Sequence, residues 1–114
     1  MNVLVVLPSV VQAIKFLQEC RVKAESLKLD YQYSGSDCLR MTVGKNSIVA
    51  VSSQTVDVAF GEKFGAAYVC DCVYPGSSVI LDVWDVMPQR DARVTVLRNP
   101  PKPLEVFGAL SLDA

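Results

Sequence analysis

Two aspartates stand inside apolar segments that a short polar tetrapeptide separates. Asp71 lies in residues 68–73 and Asp82 in residues 79–84, and residues 74–77 read Tyr-Pro-Gly-Ser. Both segments are rich in the residues that favour β-strands, and the tetrapeptide has the residues of a tight turn. The sequence therefore predicts a hairpin with one carboxylate inside each strand.

The predicted hairpin places both carboxylates on one face of a sheet. A two-residue turn makes Asp71 and Asp82 diagonal neighbours about 7–8 Å apart at the backbone, and a four-residue turn places them directly opposite. Two carboxylates at such distances repel each other and form a candidate site for a shared proton or a divalent cation. The alternative is a half-solvated face, on which the aspartates meet water or pair with Arg93 or Arg98.

The same face of the hairpin carries Val69, Ile80 and Trp84, which predicts a protein contact surface. The chain is 51% hydrophobic with a mean hydropathy of +0.30, which is apolar for a small domain. Such a composition is expected either of a β-rich chain full of valine or of a chain in which a second copy or another protein covers part of the apolar surface. Trp84 is the only tryptophan, and aromatic anchors often dominate the energetics of interfaces.

A proline-rich run predicts an extended C-terminal arm over residues 99–114. Pro100, Pro101 and Pro103 give a PxxP spacing, which suits either a stiff connector or the aromatic groove of a partner. Residues 104–107 are expected to return as a last edge strand or to pack on a neighbouring subunit. These three prolines are therefore candidate contact residues together with Val69, Ile80 and Trp84.

The absence of histidine restricts the chemistry of the chain. The 114 residues contain no histidine, which excludes Ser–His–Asp and Cys–His catalysis and HExxH zinc sites within one chain. No GxxxxGK[ST] or GxGxxG phosphate loop is present. The four cysteines, Cys20, Cys38, Cys70 and Cys72, are too irregularly spaced for a disulfide scaffold and are expected to be reduced and mostly buried. No catalytic residue and no cofactor is predicted.

Charge and hydropathy restrict the partners. The net charge is −1 and the basic residues are scattered, so neither nucleic acid nor an anionic membrane surface is an expected partner. No apolar run reaches the ~18–20 residues of a membrane span. The N-terminal apolar segment lacks a preceding positive charge and is interrupted by Pro8, so it is unlike a signal peptide. We therefore expect a cytoplasmic protein.

The arrangement of elements predicts a single α+β domain over residues 1–114. Residues 2–7 are expected to form a strand buried on both faces. Ser9 and Gln12 form a capping box that opens an amphipathic helix over residues 10–26. An anion site at this helix start is conceivable, although ordinary capping explains Ser9. Residues 27–51 predict three antiparallel strands with one wet face. The expected fold is one N-terminal helix on a mainly antiparallel sheet of six to seven strands, which can curl into a partial barrel.

These observations favour a small soluble binding or assembly module over an enzyme. We expect it to bind another protein or to self-associate through the apolar face around Val69, Ile80 and Trp84. One alternative is a divalent-metal-dependent hydrolase or nuclease that uses Asp71 and Asp82. Another is a small-ligand-binding protein, in which Tyr31, Tyr33 and Tyr68 form the walls at the mouth of the curled sheet.

Overall fold

The described part of the chain forms an open mixed sheet with two helices. The computed structural model describes residues 2–34, 39–52, 64–70, 93–97 and 101–109. The sheet order is β2-β3-β4-β1-β5-β6. In chain order the elements are β1 (Asn2–Leu7), α1 (Val10–Ser26), β2 (Gln32–Ser34), β3 (Leu39–Val43), β4 (Asn46–Ser52), β5 (Ala66–Cys70), β6 (Arg93–Leu97) and α2 (Pro103–Ala109).

The centre of the sheet is parallel. Strand β1 pairs in parallel with β4 on one side and with β5 on the other, and β5 pairs in parallel with β6. The pairs β2–β3 and β3–β4 are antiparallel. Among the described strands the sheet is therefore mixed and not mainly antiparallel as predicted, and it is open rather than curled into a barrel. The predicted antiparallel order of the three strands within residues 27–51 is found.

Strand β1 is buried on both faces, as its unbroken apolar sequence predicts. Val3, Val5 and Leu7 belong to the core that packs against α1. Leu4 and Val6 point to the opposite face and are also fully buried. Strand β4 is buried from Ser47 to Ser52 as well, because its place beside β1 puts it inside a parallel sheet with both faces covered. The expected wet face is therefore absent from β4.

Helix α1 spans the residues that its apolar periodicity predicts. The Ser9 hydroxyl accepts a hydrogen bond from the Gln12 backbone N–H at 3.2 Å and donates to Gln12 Oε1 at 3.5 Å. The serine thus caps the helix, while the glutamine side chain contacts the hydroxyl instead of the Ser9 amide of a full capping box. The buried side of the helix consists of Ala13, Phe16, Leu17, Cys20 and Ala24.

The end of α1 is a Schellman turn that shortens the next strand. Lys28 has a φ of 59°, and the Leu29 backbone N–H donates to the Ala24 carbonyl at 2.9 Å. This left-handed residue followed by a six-to-one hydrogen bond is the usual geometry of such an ending. The Tyr31 hydroxyl donates to Glu25 Oε1 at 2.5 Å and accepts from Arg21 Nε at 3.0 Å. Residues 27–31 therefore belong to the end of the helix. The strand that the sequence predicts from residue 27 onwards begins only at Gln32, the first residue of β2.

The C-terminal segment contains a helix where the sequence predicts extended structure. Helix α2 packs Val106 and Phe107 into the same core as α1. The expectation of an extended arm with an edge strand over residues 104–107 is therefore wrong for this part of the chain. Among the residues described, neither α1 nor α2 is long and apolar enough to cross a membrane.

Candidate functional site

The carboxyl ends of four parallel strands meet at one edge of the sheet. Strand pairing places the ends of β4, β1, β5 and β6 side by side, with Leu7 opposite Ser52 and Cys70 opposite Leu97. In open α/β sheets, ligands bind in the crevice outside these carboxyl ends, where connections leave in opposite directions. Here the chain goes from β1 to β4 on one side and then to β5 on the other. We call this edge of the sheet the carboxyl edge.

Helix α1 begins at the carboxyl edge. Pro8 and Ser9 connect β1 directly to α1, so the positive end of the helix dipole lies beside the strand ends. The backbone N–H groups of Val10 and Val11 lie in the first helical turn, where no intrahelical acceptor exists. The first turn carries no acidic side chain that would compete for these donors. The arrangement favours an anionic group near Ser9.

A small cavity lies beside the first half of α1. Its volume is about 140 Å³, and it is lined by Gln12, Lys15, Phe16, Glu19 and Pro101. Pro101 follows the end of β6 by four residues in the sequence, so the cavity joins α1 to the segment that leaves the carboxyl edge. Lys15 and Gln12 supply a cation and an amide, and Phe16 supplies an apolar wall. Sequence reasoning found the cap at Ser9 but not this cavity, because the cavity forms between α1 and Pro101, which lie far apart in the sequence.

The two predicted aspartates, the aromatic anchor and two further predicted contact residues lie outside the described residues. Asp71, Asp82, Ile80, Trp84 and Pro100 all lie there. In the sequence, Asp71 directly follows Cys70, the last residue of β5 at the carboxyl edge.

The structure describes three of the predicted contact residues. Val69 lies on β5 and is 3% exposed. Pro101 is buried and Pro103, which is half-buried, is the first residue of α2. None of the three therefore presents a fully exposed side chain to a partner.

The tyrosines proposed as walls of a ligand site are far apart. Tyr33 lies on β2 and Tyr31 directly precedes that strand, whereas Tyr68 lies on β5. Three strands separate β2 from β5, which corresponds to about 19 Å at the usual strand spacing. The Tyr68 hydroxyl donates to the Glu105 carbonyl at 3.4 Å and so links β5 to α2. These tyrosines do not line one shared mouth.

The cysteines of the described strands and helices are buried. Cys20 is free and fully buried on α1. Cys70 is buried and disulfide-bonded, so the expectation of reduced thiols is wrong for this residue. Within residues 2–34, 39–52, 64–70, 93–97 and 101–109, no group of three or more Cys, Asp or Glu side chains is arranged to hold a metal ion.

Cys20 is expected to resist alkylation in the native protein. Burial, together with the nearby Glu19 charge, raises the pKa of the thiol from 9.0 to about 12, so at about pH 8 only about one thiol in ten thousand is ionised. Because the folded pKa lies above the unfolded value, thiolate formation opposes folding as the pH rises above about 9. Mass spectrometry after iodoacetamide treatment should find Cys20 unmodified in native protein and modified in guanidinium. Rapid native labelling of Cys20 would contradict its burial.

The fold is similar to part of the large terminase of a thermophilic bacteriophage. No protein-family model matches the chain, and no curated protein matches its sequence. A crystal structure of the large terminase of a thermophilic bacteriophage aligns with a TM-score of 0.64 and 13% identity, covering 98% of this chain and 29% of the terminase chain. The same terminase in complex with ADP aligns with a TM-score of 0.63 and 14% identity over the same shares. The chain therefore has the fold of a segment of large terminase and spans less than a third of that protein's length.

Proposed function

We propose that the chain is a nucleotide-binding module whose site lies at the carboxyl edge. The observation that carries the proposal is the parallel alignment of β1 and β5. It brings the start of α1 to the edge where β5 ends, and Asp71 is the next residue in the sequence after β5. The terminase with the similar fold was crystallised with ADP, which makes a nucleoside diphosphate the natural first ligand to test.

The proposed roles follow from the chemistry of each group. The N–H groups of Val10 and Val11 at the positive end of α1 donate to phosphate oxygens. The Lys15 ammonium, beside the cavity, neutralises part of the phosphate charge. Asp71 acts as a ligand of a Mg²⁺ ion that also binds the phosphates, because Mg²⁺ sites commonly combine one or two carboxylates with substrate phosphates.

The proposed site differs from a complete phosphate-binding loop. The sequence has no glycine-rich segment followed by Lys and Ser or Thr, so fewer backbone donors surround the phosphates than in a P-loop. We therefore propose binding of Mg²⁺–nucleotide in the micromolar to millimolar range, about −8 to −4 kcal/mol. No turnover is proposed for this chain alone, because it spans only 29% of the terminase with the similar fold.

Asp71→Asn is expected to weaken Mg²⁺–ADP binding by about tenfold or more, a loss of about 1.4 kcal/mol. The amide removes the negative charge that the metal ion needs while preserving the size of the side chain. Isothermal titration calorimetry with ADP, in the presence and absence of Mg²⁺, measures the effect. The matched control is Asp30→Asn, because Asp30 is exposed and precedes β2 at the opposite end of the sheet from the carboxyl edge. Absence of binding to the wild type at about millimolar ADP would disprove the proposal.

The hydrolase or nuclease alternative uses the same region but requires a second carboxylate. It would need Asp82 beside Asp71 to hold the attacking water or a second metal ion. Titration with Mn²⁺ or Mg²⁺ in the absence of nucleotide separates the two hypotheses. Metal binding without ADP that is lost in both Asp71→Asn and Asp82→Asn would favour the hydrolase over the nucleotide-binding module.

A further inference from the structure

The partner of the disulfide-bonded Cys70 can be identified by elimination. Cys70 is the last residue of β5 and is disulfide-bonded, and the other cysteines of the chain are Cys20, Cys38 and Cys72. Cys20 is a free thiol that is fully buried on α1, so it is excluded. Cys38 and Cys72 lie outside the described residues, but each follows or precedes a described strand by at most two residues, which limits its distance from that strand.

Cys38 is too far from β5 to form this bond. It directly precedes Leu39, the first residue of β3, and the Cα atoms of adjacent residues are about 3.8 Å apart. Through the paired residues of β4 and β1, Leu39 lies level with Tyr68 of β5 at three strand spacings, or about 14 Å. The Cα atom of Cys38 is therefore at least about 10 Å from β5, whereas two cysteines more than about 7 Å apart cannot be bridged.

We propose that Cys70 and Cys72 form a redox-active disulfide, which opens and closes by exchange with small thiols. The bond closes a ring over residues 70–72, with Asp71 between the cysteines. In an extended strand, residues two apart lie on the same face about 6.6 Å from each other, whereas a disulfide needs a Cβ–Cβ distance of about 3.5–4.5 Å. The bond therefore requires the chain to leave the strand direction after Cys70, and β5 ends at this residue.

Such a short ring contributes little to the stability of the fold. A disulfide stabilises the folded state mainly by restricting the unfolded chain, and this effect decreases as the closed loop becomes shorter. The departure from strand geometry also favours the open dithiol, and disulfides under local strain are those that take part in regulatory or catalytic exchange. Cys70 belongs to the same core as Val106 and Phe107, where a buried thiol packs like a small apolar side chain. The core therefore accommodates Cys70 in both redox states.

The burial of Cys70 determines which sulfur reacts. Because Cys70 is 1% exposed, the incoming thiolate attacks the Cys72 sulfur, and the electron pair of the broken S–S bond passes to the Cys70 sulfur, which takes up a proton. A second external thiolate then attacks the external sulfur of the mixed disulfide and releases Cys72 as a thiol. Together, the protein disulfide and two thiols give the protein dithiol and one external disulfide. Cys20 does not act as the attacking group, because burial raises its pKa to about 12.

A tryptic map without reduction tests the connectivity. Wild-type protein is equilibrated with oxidised glutathione, alkylated in guanidinium and digested with trypsin. No lysine or arginine lies between Lys63 and Arg90, so Cys70 and Cys72 remain in one peptide, residues 64–90, whereas Cys38 lies in residues 29–40. A single peptide 64–90 that is lighter than its reduced form by the mass of H₂ and carries no alkyl group supports the proposal. A link to residues 29–40, a link to a second copy of the same peptide, or alkylation of both cysteines would overturn it.

Reduction of the native protein tests whether the bond is redox-active. With about millimolar reduced glutathione, the pair is expected to change from fully oxidised to mostly reduced while circular dichroism shows that the fold is retained. Alkylation in guanidinium after acid quenching, followed by the same tryptic map, measures the reduced fraction. Neither measurement requires ADP, so both are independent of the proposed nucleotide site.

The matched variants assign the transition to this pair of cysteines. Cys38→Ser should leave the redox transition unchanged, whereas Cys72→Ser should remove it because Cys70 then has no partner. A bond that stays oxidised until the chain is unfolded, or a transition that is lost in Cys38→Ser, would overturn the proposal. If Cys72→Ser fails to fold, the tryptic map and the native reduction of the wild type and of Cys38→Ser decide in its place.

Discussion

Replacing Phe107 by alanine is expected to destabilise the folded chain by about 3–5 kcal/mol. Phe107 lies in α2, is 0% exposed, and belongs to the same buried core as Phe16 and Leu17 of α1. The substitution removes the ring from a fully packed site and leaves a cavity that neighbouring side chains fill only in part. A domain of this size has a total stability of about 5–15 kcal/mol, so the loss is a large fraction of it.

Urea denaturation followed by circular dichroism measures the loss, with Leu104→Ala as the control. Leu104 lies in the same helix but is 49% exposed, so its truncation is expected to cost less than about 1 kcal/mol. The difference between the two variants isolates burial from helix propensity, because each replaces an apolar residue of α2 by alanine. Similar small losses in both variants would mean that the C-terminal segment is an extended arm after all.

The local elements around α1 were predictable because their signals lie close together in the sequence. The Ser9 cap and the apolar spacing from Ala13 to Ala24 define the beginning and the buried side of the helix without any information on its neighbours. The continuous apolar run of β1 likewise predicts burial on both faces. Each of these inferences depends on residues within a few turns or one strand, where sequence patterns determine geometry.

The pairing of the strands was not predictable by the same means. An alternating or continuous apolar pattern shows that a segment is a strand but does not name its partner. The turn-forming residues at 34–37 and 44–46 correctly predict that β2 pairs with β3 and that β3 pairs with β4. The partners of β1 are β4 and β5, whose paired residues lie about 45 and 63 positions later in the chain. The carboxyl edge follows from this long-range pairing. The sequence alone therefore indicates the helix cap at Ser9 but not the strand ends that lie beside it.

Helix α2 illustrates a local signal that was present but outweighed. Proline suits the first position of a helix, where its missing N–H has no partner to lose. Pro103 occupies this position, and Glu105 Oε1 accepts from the Lys102 backbone N–H at 3.5 Å, as an acidic residue in a capping box does. The neighbouring Pro100 and Pro101 favour extended structure. The prolines before α2 therefore outweighed the helix signals of Pro103 and Glu105 in the prediction from sequence.

Replacing Leu4 by aspartate is expected to destabilise the chain by about 4 kcal/mol or more, because it buries a carboxylate without a partner. Leu4 is 0% exposed and lies in the central strand β1 on the face opposite α1. The matched control is Val11→Asp, since Val11 is 74% exposed in the first turn of α1. A negative charge there interacts favourably with the helix dipole and should stabilise by about 0.3–1 kcal/mol.

The pH dependence of the Leu4→Asp variant gives a second readout of burial. Burial raises the pKa of a carboxyl group, so the folded variant favours the protonated acid. The destabilisation should therefore be complete at pH values above the raised pKa of the folded state. It should shrink as the pH falls towards about 3.9, the pKa of the carboxyl group in the unfolded chain. Urea denaturation at several pH values, each referred to the wild type, measures this trend. A loss below about 1 kcal/mol at neutral pH, independent of pH, would place Leu4 in contact with water and would mean that only the α1 side of the central sheet is covered.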